Sequence, residues 1–112
     1  MRKISKSEYI PNRNNQDGEE FEPFLSPEDQ VEGVILELTV PIPFADKEEL
    51  QELTINPPTG GQLSRNQGMK GSEASRTNRF FAECCNVTET EIQALHLRDY
   101  TRLGSVIWGF SD

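Results

Sequence analysis

The sequence predicts an α+β domain: an N-terminal β-hairpin packed on a small bundle of three to four short helices, preceded by a disordered acidic arm. Three observations carry this. Val34, Leu36, Leu38, Val40 and Ile42 recur at every second position, the period of a half-buried strand. Thr88-Glu89-Thr90-Glu91 sets a glutamate three residues after a threonine, the capping-box signature of a helix start. Leu97, Tyr100, Leu103, Val106, Ile107 and Phe110 follow one another at helical spacings, which draws a single apolar stripe.

The arm comes first. Between Asp17 and Glu32 stand seven acids and no Lys or Arg, with Pro23 and Pro27 breaking any regular pattern. Like charges repel along such a stretch and favour an extended, mobile chain. Residues 1–33 are therefore expected to be a flexible arm. Phe21, Phe24 and Leu25 are its sticky cluster, either resting casually on the domain or serving as a short docking motif.

The domain spans 34–112. Its hairpin covers 34–56: the alternating strand is expected to close at Pro41 and Pro43, because proline donates no ladder hydrogen bond. Ala45 to Glu49 reads as the turn, and a second short strand alternates through Leu53 and Ile55 until Pro57-Pro58. A lone hairpin is marginal in water, so helices must cover one face.

Thr59 can cap a first helix over 59–67, weakened by Gly60 and Gly61, with Leu63 as its main apolar contact. After a break at Gly68 to Gly71, Ser72 caps a better helix over 73–85. Its broad face carries Ala74, Thr77, Phe80, Phe81 and Cys84. A third helix over 88–95 starts at the capping box, with Val87 placed to staple against Ile92. The last runs over 97–109 and leaves Trp108 beside its main stripe.

Composition bounds the function. The 112 residues fit one small domain. With 11 Lys and Arg against 19 Asp and Glu, the formal charge is -8, which repels nucleic acids and anionic membranes. No apolar stretch approaches the roughly 20 residues of a transmembrane helix, and the basic start lacks the apolar segment of a secretory signal. A cytoplasmic location is expected. Cys84 and Cys85 are sequence neighbours, awkward for an ordinary disulfide, and read as free thiols. Adjacent helical residues point about 100° apart, so one thiol should enter the core and the other lie near the surface.

Catalytic chemistry finds little footing. The sole histidine, His96, falls between two helices, where it caps a turn or meets solvent. Cys84, Cys85 and His96 fall short of the four separated ligands of structural zinc. Gly60-Gly61 and Gly68-x-x-Gly71 lack the Lys and Ser/Thr of a phosphate loop. No cofactor, metal or enzymatic activity is expected. A helix-turn-helix remains a rival, with Arg76, Arg79, Arg98 and Arg102 available for phosphates, but the six bases between Leu63 and Arg102 face five acids.

The order of the pieces resembles the phage tail assembly chaperones of the E/41/14-like family. Leu53-Thr54-Ile55-Asn56-Pro57-Pro58-Thr59-Gly60-Gly61-Gln62-Leu63 is similar to that family's strand, "x-P-T-x-x-D/Q-L" turn and short helix. Phe80-Phe81-Ala82-Glu83-Cys84-Cys85-Asn86-Val87-Thr88 resembles its "L-L-A-x-L-S-G-L-S/T". Ile92-x-x-Leu95-x-Leu97-x-Asp99-Tyr100-x-x-Leu103 resembles its "I-x-x-L-x-L-x-D-F/Y-x-x-L". The resemblance spans roughly residues 34–110. This chain differs in its acidic arm and in Cys84-Cys85, which replaces a Leu-Ser or Leu-Thr pair.

The resemblance implies a non-enzymatic assembly factor in the host cytoplasm. It would bind the long helical tape measure protein, keep it soluble, and leave as tail tube subunits polymerise, so that the virion lacks it. A frameshifted longer form can recruit the tail tube protein in this family, and self-association is left open. The partner surface is expected to combine Leu63, Phe80, Phe81, Trp108 and Phe110, with Trp108 foremost as an aromatic off the main stripe. A small acidic protein-binding regulator is the alternative, ahead of a DNA-binding protein or a thiol enzyme.

Overall fold

The computed structural model describes residues 1–11, 23–44 and 48–112. Among these, three strands and five helices follow in the order β1 (Arg2–Ile4), α1 (Pro27–Glu32), β2 (Val34–Phe44), β3 (Glu48–Ile55), α2 (Gly60–Gln67), α3 (Glu73–Cys85), α4 (Glu89–Gln93) and α5 (Leu97–Gly109). The fold is mixed α and β, with the expected hairpin as β2 and β3 and the four expected helices as α2 to α5. The sheet order is β1-β2-β3, parallel between β1 and β2 and antiparallel between β2 and β3.

The two ends of the supposed flexible arm are structured. Ile4 on β1 is fully buried, and Leu25 just before α1 nearly so. Composition concealed this, because two apolar side chains in a polar stretch suffice to anchor it once the domain offers them a slot. Arg2 adds a polar clamp: its guanidinium lies 4.4 Å from the centre of the Phe24 ring, donates to the Phe24 carbonyl at 3.1 Å and to Asp29 at 3.3 Å, and pairs with Glu8. Ser26 caps α1 in a reciprocal box with Asp29. Phe21 and the acids at 17–22 lie outside the described residues.

Gly33 turns α1 into β2 at φ +86°, and a Cβ there would come within 2.5 Å of the Ile55 carbonyl oxygen. Only glycine meets both conditions. Past it, Val34, Leu36 and Leu38 are buried at alternate positions, as the sequence predicts, but Val40 is 43% exposed. The reason is a large irregularity. Glu37 opposes Glu52 while Ile42 opposes Leu50, so β2 advances five residues as β3 advances two, and the surplus bulges out of the ladder.

Within that bulge the amides of Thr39 and Val40 turn to the Asp99 carboxylate, at 2.9 to 3.1 Å. The strand also continues through Pro41 and Pro43 to Phe44 rather than ending there. Pro41 falls in the bulge, and an antiparallel strand donates to one neighbour only at alternate residues, which leaves room for Pro43. Of the expected turn, Glu48 and Glu49 belong to β3, and residues 45–47 lie outside the described residues.

The helices start where their caps predict. Thr59 and Thr88 each form a reciprocal box, with Gln62 and Glu91, and Ser72 accepts from the Ser75 amide. The third helix is shorter than expected, ending at Gln93. His96 caps α5, its Nδ1 accepting from the Arg98 amide at 3.1 Å. Leu97, expected on the core stripe, is 75% exposed because it is the first helical residue after the cap, ahead of Asp99, where α5 first engages β2. Ala74 is likewise exposed: the buried positions of α3 begin at Phe80.

Both cysteines are buried, which corrects the expectation of one surface thiol. Helix α3 packs against α2, α4, α5 and β3, so side chains leaving it in different directions both meet protein. Burial pushes each thiol up to about 12, helped at Cys84 by the Glu83 carboxylate and at Cys85 by Cys84. At pH 8 about one thiol in ten thousand would be ionised. Both should therefore resist Ellman's reagent in native buffer and react promptly in guanidinium; fast native labelling would contradict their burial.

Candidate functional site

A groove opens where α2, α3 and the end of α5 converge. Its cap Thr59 starts α2 directly after Pro57-Pro58, which brings Leu63 to face α3. The second half of α3 supplies Phe80, while the last turn of α5 supplies Trp108, followed by Phe110. A cavity of about 230 Å³ is lined by Leu63, Phe80, Ile107, Trp108 and Phe110, with Pro58, Thr59, Gly60 and Ser111 at its rim. It adjoins a second hollow of about 480 Å³ that shares Leu63, Phe80 and Trp108 and adds Asn66, Gln67, Glu73, Arg76 and Thr77. The result is one apolar trough with a polar extension.

Four of the five sequence-predicted contact residues, Leu63, Phe80, Trp108 and Phe110, therefore line the same groove. Their roles differ by burial. Phe80 is nearly covered and forms the floor, Leu63 and Phe110 are half-buried walls, and Trp108 is 42% exposed. The Trp108 ring sits 5.7 Å from the Phe80 ring centre, close enough for aromatic packing to hold it as a raised wall.

Phe81 departs from the expectation. It is 2% exposed, lies 6.4 Å below Trp108 and 5.7 Å from Tyr100, and points away from the groove into the core. Phe81 leaves α3 about 100° round from Phe80 and turns towards Tyr100. Gly104 on α5 gives Phe81 its space: a Cβ there would lie 3.6 Å from the ring. Phe81 supports the wall from beneath and does not line the groove.

Polar groups fix the flank. Arg65 donates to both oxygens of Glu83 at 2.7 Å, and the Asn66 amide donates to the same carboxylate at 3.1 Å and to the Gln62 carbonyl at 2.8 Å. The Arg65 guanidinium first, then Asn66, hold the Glu83 carboxyl below its ordinary range. These bonds tie α2 to α3 and so set the width of the groove. Asn66, 1% exposed, gave no sequence signal, since a polar residue on a short helix reads as surface.

The arginines offered to phosphates are occupied elsewhere. Arg102 is buried against Asp99, Arg79 pairs with Glu89, and Arg76 donates to the Gly71 carbonyl. Two of the four are thus paired with carboxylates, which weakens the helix-turn-helix reading. What the groove can do is bury apolar side chains of another protein, a gain of about 25 cal/mol per Å² of apolar surface.

The family model for phage tail assembly chaperone proteins, E, or 41 or 14, matches residues 36–112. This chain belongs to that family. The matched region runs from the second pair of residues in β2 to Asp112 and contains every residue of the groove, whereas β1 and α1 precede it. No curated protein and no solved structure matches the chaperone. Among the described residues, no helix is long and apolar enough to cross a membrane. Family membership places the protein among assembly chaperones of phage tails, and its partners among phage tail proteins.

Proposed function

We propose that this chaperone binds the tape measure protein through the Leu63, Phe80, Trp108 and Phe110 groove and keeps it soluble in the host cytoplasm until tube subunits assemble around it. The observation that carries this reading is the convergence, on a member of the tail assembly chaperone family, of an exposed tryptophan and three other large apolar side chains in one trough. A long amphipathic helix exposes apolar ridges that self-associate. Seating such a ridge in a groove is a common mode of helix recognition, and a carrier with a charge of -8 keeps the complex repelling its copies.

Binding here is non-enzymatic. Recruitment of the tail tube protein, through a longer frameshifted form, belongs to the same proposal and adds nothing to the groove itself. The direct test is co-expression of the full chain with the tape measure protein of the same phage. Co-purification and a rise in soluble tape measure protein are the expected results. A tape measure protein that stays insoluble and unbound beside abundant folded chaperone would overturn the reading.

A further inference from the structure

The groove wall is held from behind by a part of the chain outside the family-matched region. The end of α5, which carries Trp108 and leads to Phe110, closes on short local bonds, from the Phe110, Ser111 and Asp112 amides to the Ile107, Trp108 and Gly109 carbonyls, which by themselves tie it to no other element. Gln30 on α1 reaches two backbone oxygens there: its Nε2 donates to the Gly109 carbonyl at 3.4 Å and to that of Asp112 at 2.8 Å. Leu25, 2% exposed, packs under the same turn, with its Cγ and Cδ1 3.5 to 3.6 Å from where a Cβ on Gly109 would sit. The brace is itself anchored, because Arg2 binds the Phe24 carbonyl and Asp29.

We infer that Gln30 is a positioning residue for the docking groove: through α1 it fixes the last turn of α5 and thereby the placing of Trp108 and Phe110. This rests on the groove being the docking site. It gives the N-terminal segment a role that its acidic composition does not announce. Gln30 touches neither Trp108 nor the groove, so its effect must pass through the Gly109 and Asp112 backbone. The bond matters because helix ends fray unless tertiary contacts hold them, and Gln30 ties this one to α1.

Two substitutions in the full chain separate the bond from bulk. Gln30→Glu keeps shape but removes the donor and sets a negative charge against two carbonyl oxygens. Gln30→Lys keeps a donor and suits the negative end of the helix dipole. Trp108 is the sole tryptophan, so its emission and its quenching by acrylamide report the wall in the free protein, before any partner is added.

Gln30→Glu should shift the emission to the red and raise quenching, and lower affinity for the tape measure protein about tenfold, in line with the loss of the Gln30 donor at a part-buried turn. Gln30→Lys should keep both close to the parent. Unchanged emission and quenching in Gln30→Glu, with the fold intact by circular dichroism, would overturn the inference. So would altered emission with undiminished affinity, provided that Trp108→Ala weakens binding. If Trp108→Ala binds as the parent does, the docking reading fails instead, while the fluorescence of the Gln30 variants still decides whether the brace exists.

Discussion

Trp108→Ala should lower affinity for the tape measure protein by roughly a hundredfold, about 3 kcal/mol, the size of effect typical of an aromatic anchor at the centre of an interface. Trp108 is placed for this in two ways. It is 42% exposed, so a partner can still cover much of it, and Phe80 and Phe81 hold its ring from below. Pre-packing of this kind lowers the entropy lost on binding. The stability cost should be smaller, about 1–2 kcal/mol, because much of the ring already faces water. The check is a titration of the co-expressed partner against parent and variant, with the fold verified by circular dichroism. Phe81→Leu, by contrast, should loosen the core and leave the contact surface chemically unchanged. A folded Trp108→Ala protein with parental affinity would remove the tryptophan from the interface.

The second large effect belongs to Asp99, and it concerns stability. Its carboxylate is fully buried, accepts from the Thr39 and Val40 amides at the β2 bulge, and takes the Arg102 guanidinium at 3.0 Å. Arg102 continues the network to the Glu37 and Ser5 carbonyls, each at 2.8 Å, so one ion pair joins α5, the bulge and the chain after β1. Asp99→Asn puts an amide against two N–H donors and strands a buried cation. The expected loss is about 3–5 kcal/mol, a large share of the roughly 5–15 kcal/mol that a small domain has. Denaturant unfolding of parent and variant measures it.

The pH dependence has a definite sign. Burial is the largest single influence on the Asp99 carboxyl and pushes it up, but the amides of Thr39 and Val40 with Arg102 together outweigh it and hold the group below its ordinary value of 3.8. A carboxyl lowered by folding stabilises the protein at pH values above that of the unfolded chain. That contribution is complete above about pH 5 and is lost progressively as the pH falls through 3.8 towards the folded value. Parent stability should fall over that acid range, and the Asp99→Asn variant should show a shallower fall. Equal slopes would remove Asp99 as a source of acid sensitivity.

The stranding of β2, the starts of α2, α3 and α4, and the run of α5 were legible along the chain, because alternation and caps are local: each depends on residues within a few positions of one another. Four groove residues were legible for a related reason. Leu63, Phe80 and Phe110 are large apolar side chains of their helices and Trp108 stands beside the α5 stripe, and such side chains have few places to go in a domain of this size. The same reasoning failed at Phe81, where the helical angle between neighbours decides which ring is a floor and which is core.

What the sequence by itself determined, then, was the α+β class, the hairpin, the helix starts and the resemblance to the chaperone family that residues 36–112 bear out. Only the tertiary structure decided that Ile4 and Leu25 close the core, that Asp99 binds a bulge sixty residues away, and that Gln30 braces the end of α5. The physical reason is sequence distance. Each of these joins residues whose individual neighbourhoods look polar and exposed, and the burial that makes them matter exists only after the sheet and helices have met.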